Sequence, residues 1–262
     1  MTIINRKIGF IYLKSRKTAS SSIEIHLISN TECGSDIYAT SREIIQLGSE
    51  RSEYHRPLIP GRIRGWYTPG QRENWVRGHI RGASRLLPQL QQHDSAKRVR
   101  ALVGTRFFDS AFKVTPVRNP WDAIVSYYLW ELSGGQGRKE AYDVGWNDWF
   151  DKKVRVTSES GHVTEAEEFL FDPWMRIGRM PVQLHFIYFE DIRSSLSKLA
   201  EIIGQREKAF SNLSFHFKKA ERNRDYRAFF SDQQAEAVAQ AFRGYLERTG
   251  YNFDRPGLAP CL

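Results

Sequence analysis

Two stretches of the chain combine residue types and spacings suited to holding an anionic group. The first runs from Lys14 to Ser22, KSRKTASSS, with cations at Lys14, Arg16 and Lys17 and hydroxyls at Ser15, Thr18, Ser20 and Ser21 ahead of Ser22. The run before it, Ile8 and Phe10 to Leu13, is apolar and reads as a strand buried on both faces of a parallel sheet. Ser21 and Glu24 have the spacing of a capping box for a helix running on through Ile25 and Leu27. Unbonded N–H groups, the positive end of a helix and Lys17 then converge, which is the physical make-up of a phosphate site. Taken singly, the same pattern also fits a solvated turn.

The second stretch is VTPVRNPWDAIVSYYLW, Val114 to Trp130. Strand character over Phe112 to Val117 gives way to a helix with Asn119 as N-cap, Pro120 in the first turn and Asp122 favourably placed on the dipole. Arg118 is thereby left at the carboxyl end of a strand, where open α/β sheets bind ligands. Ser126, about two turns into the helix, can face the same crevice and complete an anion clamp. Glu190 follows the third strand, VQLHFIYF (Val182 to Phe189), directly. It reads either as a base or as a helix-capping acid. Between Gly34 and Arg81 every basic residue is arginine, with Trp66, Tyr67 and Trp75 interleaved. That region suits an anionic or sugar-like acceptor, and equally a solvated loop.

The elements that must position these groups alternate. Helices are expected at Ser41 to Leu47, Trp75 to Leu90, Ala96 to Phe108, Trp146 to Lys153, from Thr164 to a stop at Asp172 and Pro173, and Ile192 to Ile203. A last helix is capped by Ser231 and Gln234 and terminated by Gly250. Strands alternating with helices imply parallel pairing through crossovers, hence an α/β fold with a central parallel sheet flanked by helices. The length of 262 residues is read as a single domain, 1–262. A formal net charge of +9 attracts anions without choosing among them, and two cysteines far apart indicate neither a disulfide framework nor a zinc site. The absence of a leader or an apolar span leads to the expectation of a cytoplasmic protein in a reducing compartment.

With both junctions in view, the chain resembles the sulfotransferases that use 3′-phosphoadenosine 5′-phosphosulfate (PAPS). KSRKTASSS is similar to that family's 5′-phosphosulfate loop, in the Lys-Thr-Ala-Ser-x-Ser form of enzymes that sulfate uronic acids of heparan-type glycans. RNPWDAIVSYY is similar to its 3′-phosphate motif, and FIYFEDIRSSLSKLAEIIG to its later strand and helix. The resemblance implies a P-loop nucleotide-kinase-like sulfotransferase fold, PAPS as donor, 3′,5′-ADP (PAP) as product and no metal. It implies Lys17 as the charge that meets the leaving oxygen, with Lys14, Arg16, Thr18, Ala19, Ser20 and Ser21 at the 5′-phosphate and Arg118 and Ser126 at the 3′-phosphate. His79, in Gly78-His79, matches the family's catalytic histidine. Arg224, with Lys219 and Arg222, would close over the nucleotide. The acceptor would be a hydroxyl of a glycan, anionic or neutral, or of another hydroxylated metabolite.

Two other classes are weighed against this. A phosphate-loop kinase or NTPase would need Gly-x4-Gly-Lys spacing, and Leu13 and Thr18 stand where its glycines or lysine belong. A basic nucleic-acid-binding domain fits the charge, but the basic residues are dispersed and no reader motif is recognisable.

Overall fold

The computed structural model describes residues 2–6, 8–30, 93–134, 144–154, 164–203 and 225–254. In chain order the strands are β1 (Ile3–Asn5), β2 (Phe10–Tyr12), β3 (Phe112–Val117), β4 (Arg176–Ile177), β5 (Met180–Pro181) and β6 (His185–Tyr188). The helices are α1 (Ser20–Asn30), α2 (Ala96–Val103), α3 (Thr105–Ser110), α4 (Pro120–Leu132), α5 (Trp146–Lys153), α6 (Glu165–Leu170), α7 (Asp172–Met175), α8 (Ile192–Ile202), α9 (Asp232–Ala241) and α10 (Arg243–Thr249). The main sheet has the order β1-β2-β3-β6, and β4 and β5 form a separate antiparallel pair. β2 and β3 run parallel with Tyr12 opposite Val114, and β3 and β6 run parallel with Val117 opposite Tyr188. The fold is therefore mixed α/β around a parallel-containing sheet.

Alternation along the strands sorts the core onto two faces. Phe10, Tyr12 and Val114 pack with Ile23 and Leu27 of α1 and with Leu196 and Leu199 of α8. Ile11 and Leu13 point the other way, against Val99 and Val103 of α2, Phe108 and Trp174. A third cluster, rich in rings, surrounds α4 and gathers Trp121, Tyr127, Trp149, Phe171, Phe242 and Tyr245. α4 is buried on nearly every side, from Pro120 to Val125 and again at Tyr127 and Tyr128. Its apolar composition, with few surface residues, follows from that position.

Several expected boundaries move. The first parallel strand shortens to Phe10–Tyr12, although the Leu13 N–H still reaches the Val114 carbonyl at 2.8 Å. β1 pairs antiparallel with it, an edge the apolar pattern did not announce. The helix expected over Ala96 to Phe108 breaks at Gly104, whose φ of 93° is open to glycine alone at low cost. Asp172 and Pro173 start a further helical turn instead of ending one, since proline is at home in a first turn. The third strand is confined to His185–Tyr188. The Ser231–Gln234 capping box forms as read, and Gly250 closes α10 in a left-handed conformation, but the helix between them divides at Phe242. The helices expected at Ser41 to Leu47 and Trp75 to Leu90 lie outside the described residues. Among the described residues no helix is long and apolar enough to cross a membrane.

Candidate functional site

The two stretches expected to bind anions fall at the carboxyl ends of adjacent parallel strands, β2 and β3. Each hands over within a few residues to a helix, α1 and α4. Their proximity is covalent in origin on neither side; it comes from the register that sets Tyr12 beside Val114. Side chains then stitch the two turns together. Ser15 Oγ donates to the Pro116 carbonyl at 2.5 Å, and because that hydroxyl has given its one proton, Thr18 Oγ1 is the donor in its 2.9 Å bond to Ser15. Thr115 Oγ1 donates to the Leu13 carbonyl at 2.9 Å.

The first turn holds two non-glycine residues in the left-handed region, Lys17 with φ 59° and Ala19 with φ 53°. Such residues cost about 1–2 kcal/mol each and persist only where surroundings over-determine them. Here the surroundings are the Ser15–Thr18–Pro116 chain above, the Tyr12 hydroxyl on the Ser20 carbonyl (2.8 Å) and His93 on the Lys14 carbonyl (3.0 Å). A carbonyl only accepts, so His93 Nδ1 carries the proton. Burial first, then nearby positive charge, that of Lys14 included, lowers this imidazole to about 3 and keeps it neutral. Left-handed residues within a turn gather backbone N–H groups into an anion-receiving concavity, and the first N–H groups of α1 add to it.

The expected roles within KSRKTASSS separate on inspection of the side chains. Lys14, expected at the 5′-phosphate, is engaged inside the fold. Its ammonium is buried, 2% exposed, and donates to Glu24 Oε2 at 2.6 Å, with Glu24 wholly buried. This pair also replaces the expected Ser21–Glu24 capping box: α1 begins at Ser20, and the Glu24 carboxylate turns inward toward the strand end. Thr18 is buried with its proton committed to Ser15, so it offers a ligand no hydroxyl proton. Ser20 is buried and Ser21 half-buried in the first turn of α1. Arg16 lies with its guanidinium 4.2 Å from the Phe169 ring centre, and burial lowers its pKa. Lys17 Nζ sits 5.1 Å from the Trp130 ring centre.

Arg118 links the two turns. Its Nη1 donates to the Lys17 carbonyl at 2.8 Å, while Nε and Nη2 grip Asp122 Oδ2 at 2.7 and 2.6 Å and its flat face covers Phe189 at 4.2 Å. Among the described residues, three of its five N–H groups are thus committed and two are left for a ligand. The backbone on which it stands is clamped by Tyr245, whose hydroxyl accepts from the Arg118 N–H at 3.0 Å and donates to the Arg118 carbonyl at 2.8 Å. Asn119 caps α4 through Oδ1 and the Trp121 N–H, 3.1 Å, and donates through Nδ2 to the Asn252 carbonyl, 3.0 Å. Ser126 is half-buried, one helical turn beyond Asp122 and one before Trp130. The i, i+4, i+8 spacing puts these three on one face of α4, the face that meets Arg118 and Lys17.

Glu190, the alternative base, is occupied by structure. Oε1 accepts from the Asn119 N–H at 2.9 Å and Oε2 from the Tyr251 hydroxyl at 2.6 Å. The acid after the third strand therefore holds the second turn in place, in line with its reading as a structural acid. His79 and Arg224 lie outside the described residues. Asp122, Tyr245 and Trp130 were not singled out from sequence as parts of the site. Only Asp122 left a signal, since arginine and aspartate four residues apart across a helix start are spaced to pair. Among the described residues there is no group of three or more histidines, cysteines or acids that could hold a metal ion. Comparison with family models, with curated proteins and with solved structures gives no match.

Proposed function

We propose that the chain is a sulfotransferase that moves a sulfuryl group from PAPS to an acceptor hydroxyl, on a P-loop nucleotide-kinase-like sulfotransferase fold. The observation that carries the reading is the Arg118–Lys17 link. It joins two strand-to-helix turns at neighbouring parallel strand ends, each rich in anion-seeking groups. A donor with phosphates at both its 5′ and 3′ positions matches two such turns, whereas a nucleotide phosphorylated only at 5′ matches one. The donor set is cationic and protic throughout: Lys17, the backbone at Thr18 to Ser21, two N–H groups of Arg118 and the Ser126 hydroxyl.

The donor supplies an activated sulfur–oxygen bond. The acceptor oxygen bonds to sulfur, the bond to the 5′-phosphate oxygen breaks, and 3′,5′-ADP leaves with that electron pair. Lys17 stabilises the charge arriving on the leaving oxygen, which electrostatic preorganisation favours without covalent chemistry. Arg118, oriented by Asp122, and Ser126 receive the 3′-phosphate. The acceptor's proton goes to a base, for which His79 is retained through the family resemblance, now that both oxygens of Glu190 are engaged. A glycan, anionic or neutral, or another hydroxylated metabolite is the proposed acceptor, nucleic acid is not a proposed partner, and the proposed compartment is the cytoplasm.

A melting series tests the reading, because a ligand that binds the native state raises stability with the logarithm of its concentration over its dissociation constant. The expected result is a shift with 3′,5′-ADP in the absence of magnesium and little or none with 5′-ADP. Equal shifts for the two nucleotides, or a shift with Mg-ATP only, would favour a kinase or NTPase and end the sulfotransferase reading.

A further inference from the structure

Arg16 and Lys17, neighbours in the first turn, rest on one continuous aromatic surface. Arg16 lies over Phe169 and Lys17 over Trp130, and these two rings are 5.7 Å apart between centres. Both touch Tyr127, which stacks on Phe169 at 4.0 Å and meets Trp130 at 6.2 Å. Tyr127 in turn stands edge-on to the buried Trp149, whose indole N–H donates to Glu131 at 2.6 Å. The shelf is thus anchored in the core. Trp130 also belongs to the face of α4 that carries Asp122 and Ser126, so one rigid helix addresses both turns.

We propose that Trp130 is a positioning residue for Lys17, its ring face holding the ammonium at the mouth of the first turn while Asp122 and Ser126, on the same helix face, fix the second. The catalytic consequence rests on the reading of Lys17 as the donor's counter-charge; the placement of the ammonium on the ring does not. Indole offers a cation the strongest of the aromatic faces, benzene a weaker one and leucine none. An amine held against a ring face is withdrawn from a reagent on that side, so weakening the ring leaves it more open to acylation.

The test uses trace acetic anhydride on the full chain, with labelling of Lys17 read by peptide mass spectrometry against the exposed Lys152 as internal reference. Trp130→Leu should raise relative Lys17 labelling roughly two- to fivefold at fixed pH, and Trp130→Phe by less. If the leucine variant does not fold, the comparison of phenylalanine with wild type decides alone. Unchanged Lys17 labelling in the folded variants overturns the proposal. In turnover, Trp130→Phe should slow release of 3′,5′-ADP from PAPS while keeping the wild-type 3′,5′-ADP melting shift. Parallel loss of that shift would mark Trp130 as merely structural and overturn the positioning role. A labelling response in a protein whose wild type shows no 3′,5′-ADP shift refutes the donor reading and leaves the lysine placement standing.

Discussion

Lys14 is the residue on which ligand binding and folding are most easily confused, and its pairing with Glu24 gives a calculable way to separate them. Both side chains are out of water and their contact is 2.6 Å. Removing one partner takes the ion pair from a charge that stays buried, a loss of about 3–5 kcal/mol, whereas replacing both with apolar groups of similar volume is often neutral. For a chain of 262 residues the unfolding entropy is roughly 0.5 kcal/mol per kelvin, so each single change should lower the melting temperature by about 6–10 °C. Lys14→Met and Glu24→Leu are the singles, and the double variant should recover most of the loss. The assay is thermal melting of all four proteins with and without 3′,5′-ADP. The nucleotide shift should survive in the double variant, because the ammonium faces Glu24 and not the mouth of the turn. A Lys14→Met protein that melts within a degree of wild type but no longer responds to 3′,5′-ADP would refute the argument and return Lys14 to the ligand set.

Other substitutions probe the strain, the clamp and the acid cluster. Ala19→Gly relieves a left-handed alanine and, after the entropy glycine adds to the unfolded chain, should stabilise by about 0.5–1 kcal/mol in chemical denaturation with nucleotide binding retained. Tyr245→Phe leaves the Arg118 N–H and carbonyl without their partner, costing about 1–3 kcal/mol, and should weaken the 3′,5′-ADP shift although Tyr245 touches no ligand group. Burial, then the charge of Asp172, pushes the Glu167 carboxyl up to about 7. The fold therefore favours its protonated form, a contribution complete below about 4.5 and lost as pH rises through 7. Glu167→Gln should flatten the fall in melting temperature between about pH 4.5 and pH 7, and an unchanged slope would assign that fall to other groups.

The parts of this fold legible in the sequence were those with local causes. Asn119 and Pro120 set the start of α4, Ser231 and Gln234 that of α9, and Gly250 the end of α10, each through bonds within a few residues. What could not be read was decided by contacts distant in the chain. Glu24 fits a capping box by spacing, yet the strand end ten residues earlier supplies an ammonium that must be neutralised in the interior, and that demand prevails. Glu190 fits a base by its place after a strand, and only the return of the chain at Tyr251 fills its second oxygen. The arginine at the second junction and its pairing with Asp122 were legible, but the rest of its orientation was not, since Phe189 and the Lys17 carbonyl reach it from distant segments.

The clamp of Tyr245 on Arg118 spans 127 residues, and Asn119 is tied in the same way to the Asn252 carbonyl 133 residues on. During synthesis the second turn is therefore made long before the groups that fix it exist. The strands and the first turn can form on the emerging chain, but Arg118 and the cap of α4 acquire their final bonds only when the last two helices dock. A nascent or C-terminally clipped chain should be helical and partly compact while unable to hold the second anion. Synthesis past Tyr245 and Asn252 becomes the step that fixes the second turn, and a chain interrupted before Tyr245 should be silent in the nucleotide melt however well its sheet had formed.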